Sequence, residues 1–219
     1  MAEHMAAIAS GYLFLGNYEK SLELNLECLN IREKLYGKDH PNYLTSLNNL
    51  ALDYSDLGNY EKSLELNQQC LKIREKLYGR EHPDYALSLN NLASDYSDLG
   101  NYEKSLELNL ECLKFSERFY GKDHPDYALS LGNLALNYSN LGNYKKSLEL
   151  NLECLKIREK IYGKNHPYYS GSLSNLASTY RDLGNYEKAL GLNQECLKIY
   201  EKIYGKNHPH YAASLNNLA

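Results

Sequence analysis

Apolar residues return along this chain at the i, i+3, i+4, i+7 spacing of a helix face, twice within every 42 residues. Between Pro83 and Leu99 the stripe is Leu89, Leu92, Ala93, Tyr96 and Leu99, which predicts a first helix, A. Between Tyr102 and Tyr120 it is Ser105, Leu106, Leu108, Cys112, Leu113, Phe115 and Phe119, which predicts a second helix, B, with Glu103, Lys104, Glu107, Glu111 and Lys114 on its polar side. Helix A opens at a His-Pro pair in every copy, where the missing N–H of proline is no loss. It closes at Gly58, Gly100, Gly142 or Gly184, each placed for the left-handed conformation that follows a helix. Helix B stops at Gly37, Gly79, Gly121, Gly163 or Gly205, and a short polar loop leads back to His-Pro. No segment alternates with period two and valine is absent, so a strand reading has no support.

Cut at the glycine of each Leu-Gly-Asn-Tyr, the copies run 17–58, 59–100, 101–142, 143–184 and a shortened 185–219, preceded by a divergent helix A in Ala2 to Leu15. Counting partial pieces, eleven helices are expected. A period of this length marks a solenoid, in which each unit packs on its neighbours and cannot bury its apolar face alone. Met1 to Met5 reads as a cloning remnant, which leaves 6–219 as one array, and a stop in mid-repeat reads as an excerpt of a longer one.

Charge and composition narrow the class. The formal net charge is −4, with 24 Lys plus Arg interleaved among 28 Asp plus Glu, so a nucleic-acid surface is not expected. No apolar run approaches the ~18 residues of a membrane span, and the start lacks a basic signal segment; the expected compartment is the cytoplasm and no membrane partner is expected. The five cysteines, Cys28, Cys70, Cys112, Cys154 and Cys196, recur one per copy, too far apart for disulfides, and should be free thiols.

The series Leu89-x-x-Leu92-Ala93-x-x-Tyr96-x-x-x-Gly100-x-Tyr102-x-x-Ser105, with a small residue at Cys112, resembles the tetratricopeptide repeat. It departs from the usual 34-residue pattern by eight extra residues, by alanine after the leucine, and by Ser and Cys where alanines are usual. The longer unit, with G-x-x-H-P-x-Y and L-N-N-L-A, is similar to the repeats of kinesin light chain. The resemblance covers essentially residues 6 to 219 and implies an all-α, right-handed superhelix of antiparallel helical hairpins.

Most regular positions have a packing explanation. Of the 22 tyrosines, 20 fall at just four repeat positions, represented by Tyr78, Tyr85, Tyr96 and Tyr102, as packing between A and B helices demands. A stacking platform for bases would need basic residues beside them. Each cysteine sits twelve residues before a histidine, but the thiol lies in the third turn of helix B and the imidazole beyond its end, so the two do not share an ion. The cysteines read as packing, the histidines as loop and cap residues, and no metal is expected. The series Arg74-Glu75-Lys76, Glu103-Lys104 and Glu107 reads as a solvated outer face with weak ion pairs.

The resemblance implies that partner contacts lie on the face of helix A opposite its core stripe. At 100° per residue that face is Leu87, Asn90, Asn91, Ser94 and Asp98. Its most regular member is the series Asn49, Asn91, Asn133, Asn175 and Asn217. Such amides suit pairing with the backbone of an extended peptide, or hydrogen bonding within each repeat to fix packing; both readings stand here. The positions that vary between copies include Asn48, with apolar spots at Leu87, Leu129 and Leu136, acidic spots at Asp56, Asp98 and Asp182, and a base at Arg181. The peptide-binding face is therefore expected at Asn48, Asn49, Leu87, Asn90, Asn91, Ser94, Asp98, Leu129, Asn133, Leu136, Asn175 and Arg181. With Arg181 as the single base, an acidic partner is disfavoured and a neutral or basic extended peptide fits better.

The expected function is a protein-interaction scaffold binding an extended peptide or partner helix. The alternative is a spacer or sensor arm of a larger signalling protein, with no peptide ligand of its own. End-to-end self-association through an exposed repeat interface is a further expectation. No cofactor is implied, and with no phosphate loop or Ser-His-Asp arrangement an enzyme is not expected.

Overall fold

The computed structural model describes residues 2–218; Met1 of the expected remnant and Ala219 at the end of the array lie outside the described residues. The elements are α1 (Ala2–Phe14), α2 (Tyr18–Tyr36), α3 (Pro41–Asp56), α4 (Tyr60–Tyr78), α5 (Pro83–Asp98), α6 (Tyr102–Tyr120), α7 (Pro125–Asn140), α8 (Tyr144–Tyr162), α9 (Pro167–Asp182), α10 (Tyr186–Tyr204) and α11 (Pro209–Asn216). The described residues hold eleven helices and no strand, as the two stripes predict. The chain divides within α6 into two compact units, Met1–Leu108 and Asn109–Ala219. In the first, α1 packs on α2, α2 on α3, α3 on α4 and α4 on α5; in the second, α7 to α11 pack in the same sequential way.

Both joints are built from local chemistry. At Leu-Gly-Asn-Tyr, Gly58 takes φ +74° and its N–H donates to Ser55 O at 2.9 Å, while the Asn59 N–H donates to Tyr54 O at 2.8 Å. That closes the A helix with a left-handed glycine. The same Asn59 then opens the B helix, its side chain accepting from the Lys62 N–H at 3.2 Å. One glycine and one asparagine thus end one helix and begin the next.

At the other joint the histidine is the cap. His82 Nδ1 accepts from the Asp84 N–H at 3.1 Å, and its ring stacks on Tyr78 with centroids 4.6 Å apart. The pair recurs as Tyr36–His40, Tyr120–His124, Tyr162–His166 and Tyr204–His208, at 4.2 to 4.5 Å. The sequence expectation of loop and cap histidines holds, and the helix-end tyrosine acts as their staple.

Each apolar core fills the space between successive hairpins. In the first unit Tyr43, Leu44, Leu47, Leu50 and Ala51 of α3 pack with Leu66 and Cys70 of α4, flanked by Leu22, Leu29, Tyr54, Ile73 and Leu77. In the second, Tyr169 and Leu173 of α9 meet Cys196 and Ile199 of α10. All five cysteines are free and buried. Burial pushes the Cys70 and Cys112 thiols up to about 12, so they behave as small apolar residues.

Three expectations need correcting. Arg74 does not join a solvated face: it is 6% exposed, and its Nη1 donates to Ser88 Oγ at 2.7 Å. It lies one turn beyond Cys70 on the same face, and the following A helix presents a serine to its guanidinium. Arg32 and Arg158 repeat the contact with Ser46 at 2.9 Å and Ser172 at 3.0 Å. Phe119, counted in the apolar stripe, sits in the last turn of α6, where it is 52% exposed, stacks on Phe115 and meets Tyr120 edge-on. Leu99 is exposed as well, since α5 ends at Asp98 and Leu99 is its C-cap. The outer face otherwise carries exposed i, i+3 pairs such as Lys62–Glu65 and Lys146–Glu149, which contribute little.

Candidate functional site

Beneath the outward face of the A helices lies a buried polar layer that the apolar stripe does not foreshadow. In α2 and α3, the Ser21 hydroxyl donates to one carboxylate oxygen of Asp53 at 2.6 Å, and Asn25 Nδ2 donates to the other at 2.7 Å. In α4 and α5, Ser63 and Asn67 donate to the two oxygens of Asp95, both at 2.7 Å. In the second unit the acceptor is a hydroxyl: Asn151 Nδ2 donates to Thr179 Oγ1 at 3.0 Å, with Ser147 Oγ at 3.3 Å. Asp53, Asp95, Asn137 and Thr179 occupy equivalent positions and all are buried. Desolvation pushes the Asp53 and Asp95 carboxyls above their ordinary range, against the hydrogen bonds from serine and asparagine, which act to lower them.

Over this layer the A-helix faces form cavities. In the first unit a cavity of about 300 Å³ is lined by Asn48, Asn49, Leu52 and Ser55 of α3, Ser63 and Asn67 of α4, and Leu87, Asn91, Ser94 and Asp95 of α5. In the second, one of about 220 Å³ is lined by Leu129, Gly132, Asn133, Leu136 and Ser139 of α7, Ser147, Asn151 and Arg158 of α8, and Asn175, Ser178 and Thr179 of α9. A third, also in the second unit, gathers Asn175, Arg181, Tyr186, Leu190, Asn193 and Asn217 in about 530 Å³.

Of the residues expected on the binding face, Asn48, Asn49, Leu87, Asn91 and Ser94 line the first cavity. Leu129, Asn133, Leu136 and Asn175 line the second, and Arg181 lines the third together with Asn175. Asn90 and Asp98 line none of the three; the Asn90 Oδ1 is buried without a hydrogen-bond partner, and Asp98 is exposed at the helix end. Arg181 is held by Ser178 at 3.0 Å and lies 3.7 Å from the Asp182 carboxylate.

The cavities are also lined by residues outside the face expected from helical rotation: Leu52, Asn67 and Asp95 in the first unit, and Arg158 and Thr179 in the second. Arg158 makes Arg181 no longer the single base on this face. The sequence does carry a signal for Asp53 and Asp95: an aspartate recurs in the last turn of the A helix, two residues after a buried Leu-Ala pair and just before a half-buried tyrosine.

The asparagine series is not uniform. Asn217 Nδ2 donates to Ser174 Oγ at 3.2 Å, and its carbonyl accepts from Asn193 at 2.7 Å. The side chains of Asn49, Asn91, Asn133 and Asn175 form no hydrogen bond among the described residues, while the Asn175 carbonyl accepts from Thr179 as an ordinary helix back-bond. Those four amides each present two donors and an acceptor beside the cavities.

A family model described as tetratricopeptide repeat matches residues 1–76, 48–117, 84–160, 133–202 and 168–219. A solved structure of nearly identical TPR-like repeats from a putative kinesin light chain of Podosopora anserina is 26% identical, with a TM-score of 0.74, covering 92% of this chain and 96% of that one. BtubC (BKLC) from P. vanneervenii is 24% identical, with a TM-score of 0.76, over 94% of this chain and 82% of that one. A Rap protein complexed with competence and sporulation factor has a TM-score of 0.74 at 16% identity, over 98% of this chain and 62% of that one; at these last two identities the likeness is one of fold. A search of curated protein sequences finds no match. Among the described residues no helix is long and apolar enough to cross a membrane.

Proposed function

Because the chain belongs to the tetratricopeptide repeat family, whose arrays serve as protein-interaction scaffolds, we propose that it binds an extended peptide segment of a partner protein along its A-helix faces. The observation that carries this reading is the set of four amides, Asn49, Asn91, Asn133 and Asn175, whose side chains have no hydrogen-bond partner among the described residues. An amide held for packing would be paired within its repeat, as Asn25, Asn67 and Asn151 are. An unpaired amide beside a cavity is free to bridge the N–H and C=O of an extended backbone whatever its side chains. Half-exposed Leu52, Leu87, Leu129 and Leu136 add apolar contact area on the same faces. The Rap protein of similar fold, solved with competence and sporulation factor, lends support at the level of fold alone.

The test separates binding from packing. Asn91, Asn133 and Asn175 are replaced together by alanine, and binding of a fluorescein-labelled degenerate nonapeptide library is measured beside the melting curve. Three lost hydrogen bonds lower affinity about 100-fold, at roughly 1 kcal/mol each, while the melting temperature stays near that of the wild type. A lowered melting temperature with unchanged affinity would assign the amides to packing instead.

A further inference from the structure

Every A helix after α1 is capped by an imidazole nitrogen rather than by an oxygen. The acceptor is Nδ1 of His40, His82, His124, His166 or His208, at 3.1 to 3.2 Å from the N–H two residues on. An imidazole accepts only while that nitrogen is bare, because the protonated ring carries N–H at both nitrogens. Protonation sets two N–H groups against each other and places a positive charge at the positive end of a helix. The stack on the helix-end tyrosine is common to all five copies and favours a cation on the ring face. It holds the ring in place while the hydrogen bond is lost.

What differs between copies is the residue after the proline: Asn42, Asp84, Asp126, Tyr168 and His210. In the second unit this separates α7 from α9. The Asp126 carboxylate stands 3.6 Å from His124 Nδ1, close enough for an ion pair with the protonated ring. At α9 the ring of Tyr168 takes that place, 5.2 Å from the ring of His166. Arg158 of α8 donates to the Tyr168 carbonyl and lies over its ring, so a second cation already faces the joint; α6 has Ser116 at that position. The loop charges do not offset the difference. Lys122 and Lys164 pair with Glu117 and Glu159; Asp123 pairs with Lys160, whereas its counterpart Asn165, which accepts from Lys202, is neutral. At α11 the residue is a second imidazole, His210, its ring 5.1 Å from that of His208. In the first unit His82 has the Asp84 carboxylate at 3.9 Å, and His40 has Asn42.

We propose that the histidine caps are acid-sensitive joints, and that an aspartate two residues after the cap decides which of them hold. On protonation α5 and α7 exchange a hydrogen bond for an ion pair and stay closed, while α3, α9 and α11 lose the cap and open their first turn. The cap is present above the range in which an imidazole titrates, roughly pH 5 to 8, and is lost below it. α9 carries Asn175 and Arg181, and Asn217 follows α11; all three line the third cavity, so two acid-sensitive joints flank that face.

Hydrogen exchange on the full chain, followed by NMR at about pH 7.5 and about pH 5 and corrected for the intrinsic rate, tests the grading. Four first-turn amides are compared: Tyr168 and Ser170, which donate to His166 Nδ1 and O, and Asp126 and Ala128, which donate likewise to His124. Acidification is expected to lower protection about tenfold at Tyr168 and Ser170, the joint effect of a lost cap and an adverse end charge, and less than about twofold at Asp126 and Ala128. His166→Asn supplies an oxygen cap that does not titrate and is expected to make α9 indifferent to pH. Asp126→Asn, with the residue that Asn42 already places after a proline, is expected to confer the tenfold loss on α7. No loss at α9, an equal loss at both helices, a loss that persists in His166→Asn, or an α7 that stays protected in Asp126→Asn overturns the graded joints.

Discussion

Leu47→Ala lowers the free energy of unfolding by about 3 kcal/mol, within the range of buried leucine truncations. Leu47 is 1% exposed in the middle of α3, where it packs with Tyr43, Leu44, Leu50 and Ala51 of its own helix and Leu66 and Cys70 of α4. The truncation removes methyl groups from a site bounded by two helices whose caps fix their ends, so the surroundings cannot collapse to fill the gap. Urea denaturation followed by circular dichroism measures the loss. Because each repeat contacts only its neighbours, stability in such arrays is a sum of local terms. Hydrogen exchange should therefore show the protection lost mainly in α2, α3 and α4. A loss spread evenly over all helices would mean that the array unfolds as one cooperative body.

Asp53→Ala is expected to cost about 2 to 6 kcal/mol, whereas Asp53→Asn is expected to fold at or above the wild-type melting temperature at neutral pH. Alanine orphans two buried donors, the Ser21 hydroxyl and Asn25 Nδ2, each at about 1 to 3 kcal/mol. Asparagine keeps an acceptor for Ser21 and can donate to Asn25 Oδ1, which has no partner in the wild type. The pH dependence follows from the raised carboxyl. Desolvation is the larger influence and the hydrogen bonds from Ser21 and Asn25 the smaller, so the native state holds this proton more tightly than the unfolded chain. The stabilisation associated with the protonated group is present below the unfolded pKa of about 4 and is lost as pH rises through the native value. Melting curves between pH 4 and 7 should fall more steeply with rising pH for wild type than for Asp53→Asn with Asp95→Asn. The histidine caps are common to both proteins and cancel in the difference. Equal slopes would show that the two carboxyls titrate alike in the folded and unfolded chains.

The fold was legible because its signals are local and repeated. Pro83 and Gly100 bracket one helix, Tyr102 and Gly121 the next, and the observed bounds Pro83–Asp98 and Tyr102–Tyr120 agree to within a residue. The asparagine after Gly100 went unread as a cap because its partner is a backbone N–H, that of Lys104, and nothing in the apolar pattern marks it. What periodicity could not reveal was the buried polar layer. A hydrophobic stripe treats Asp95, Asn67 and Arg74 as outward residues, since each is polar, yet all three are buried by partners supplied from an adjacent helix. Pairing of that kind is a property of two helices together. The face of Leu87, Asn91 and Ser94 was reachable by rotation alone; its floor at Asn67 and Asp95 was not, because it belongs to a neighbouring B helix and to the inward side of the same A helix.

The cysteines bear on how this protein could be studied. A thiol sealed in a helix interface, with its proton held up to about 12 at Cys70 and Cys112, offers almost no thiolate to an alkylating reagent at neutral pH. Maleimide added to the folded protein is accordingly expected to leave all five native sulfurs unmodified by mass spectrometry, and to modify them once urea opens the helices. A single cysteine introduced on an exposed turn would then be the one reactive handle on an otherwise unaltered chain, so fluorophores or spin labels could be placed without first removing a native thiol.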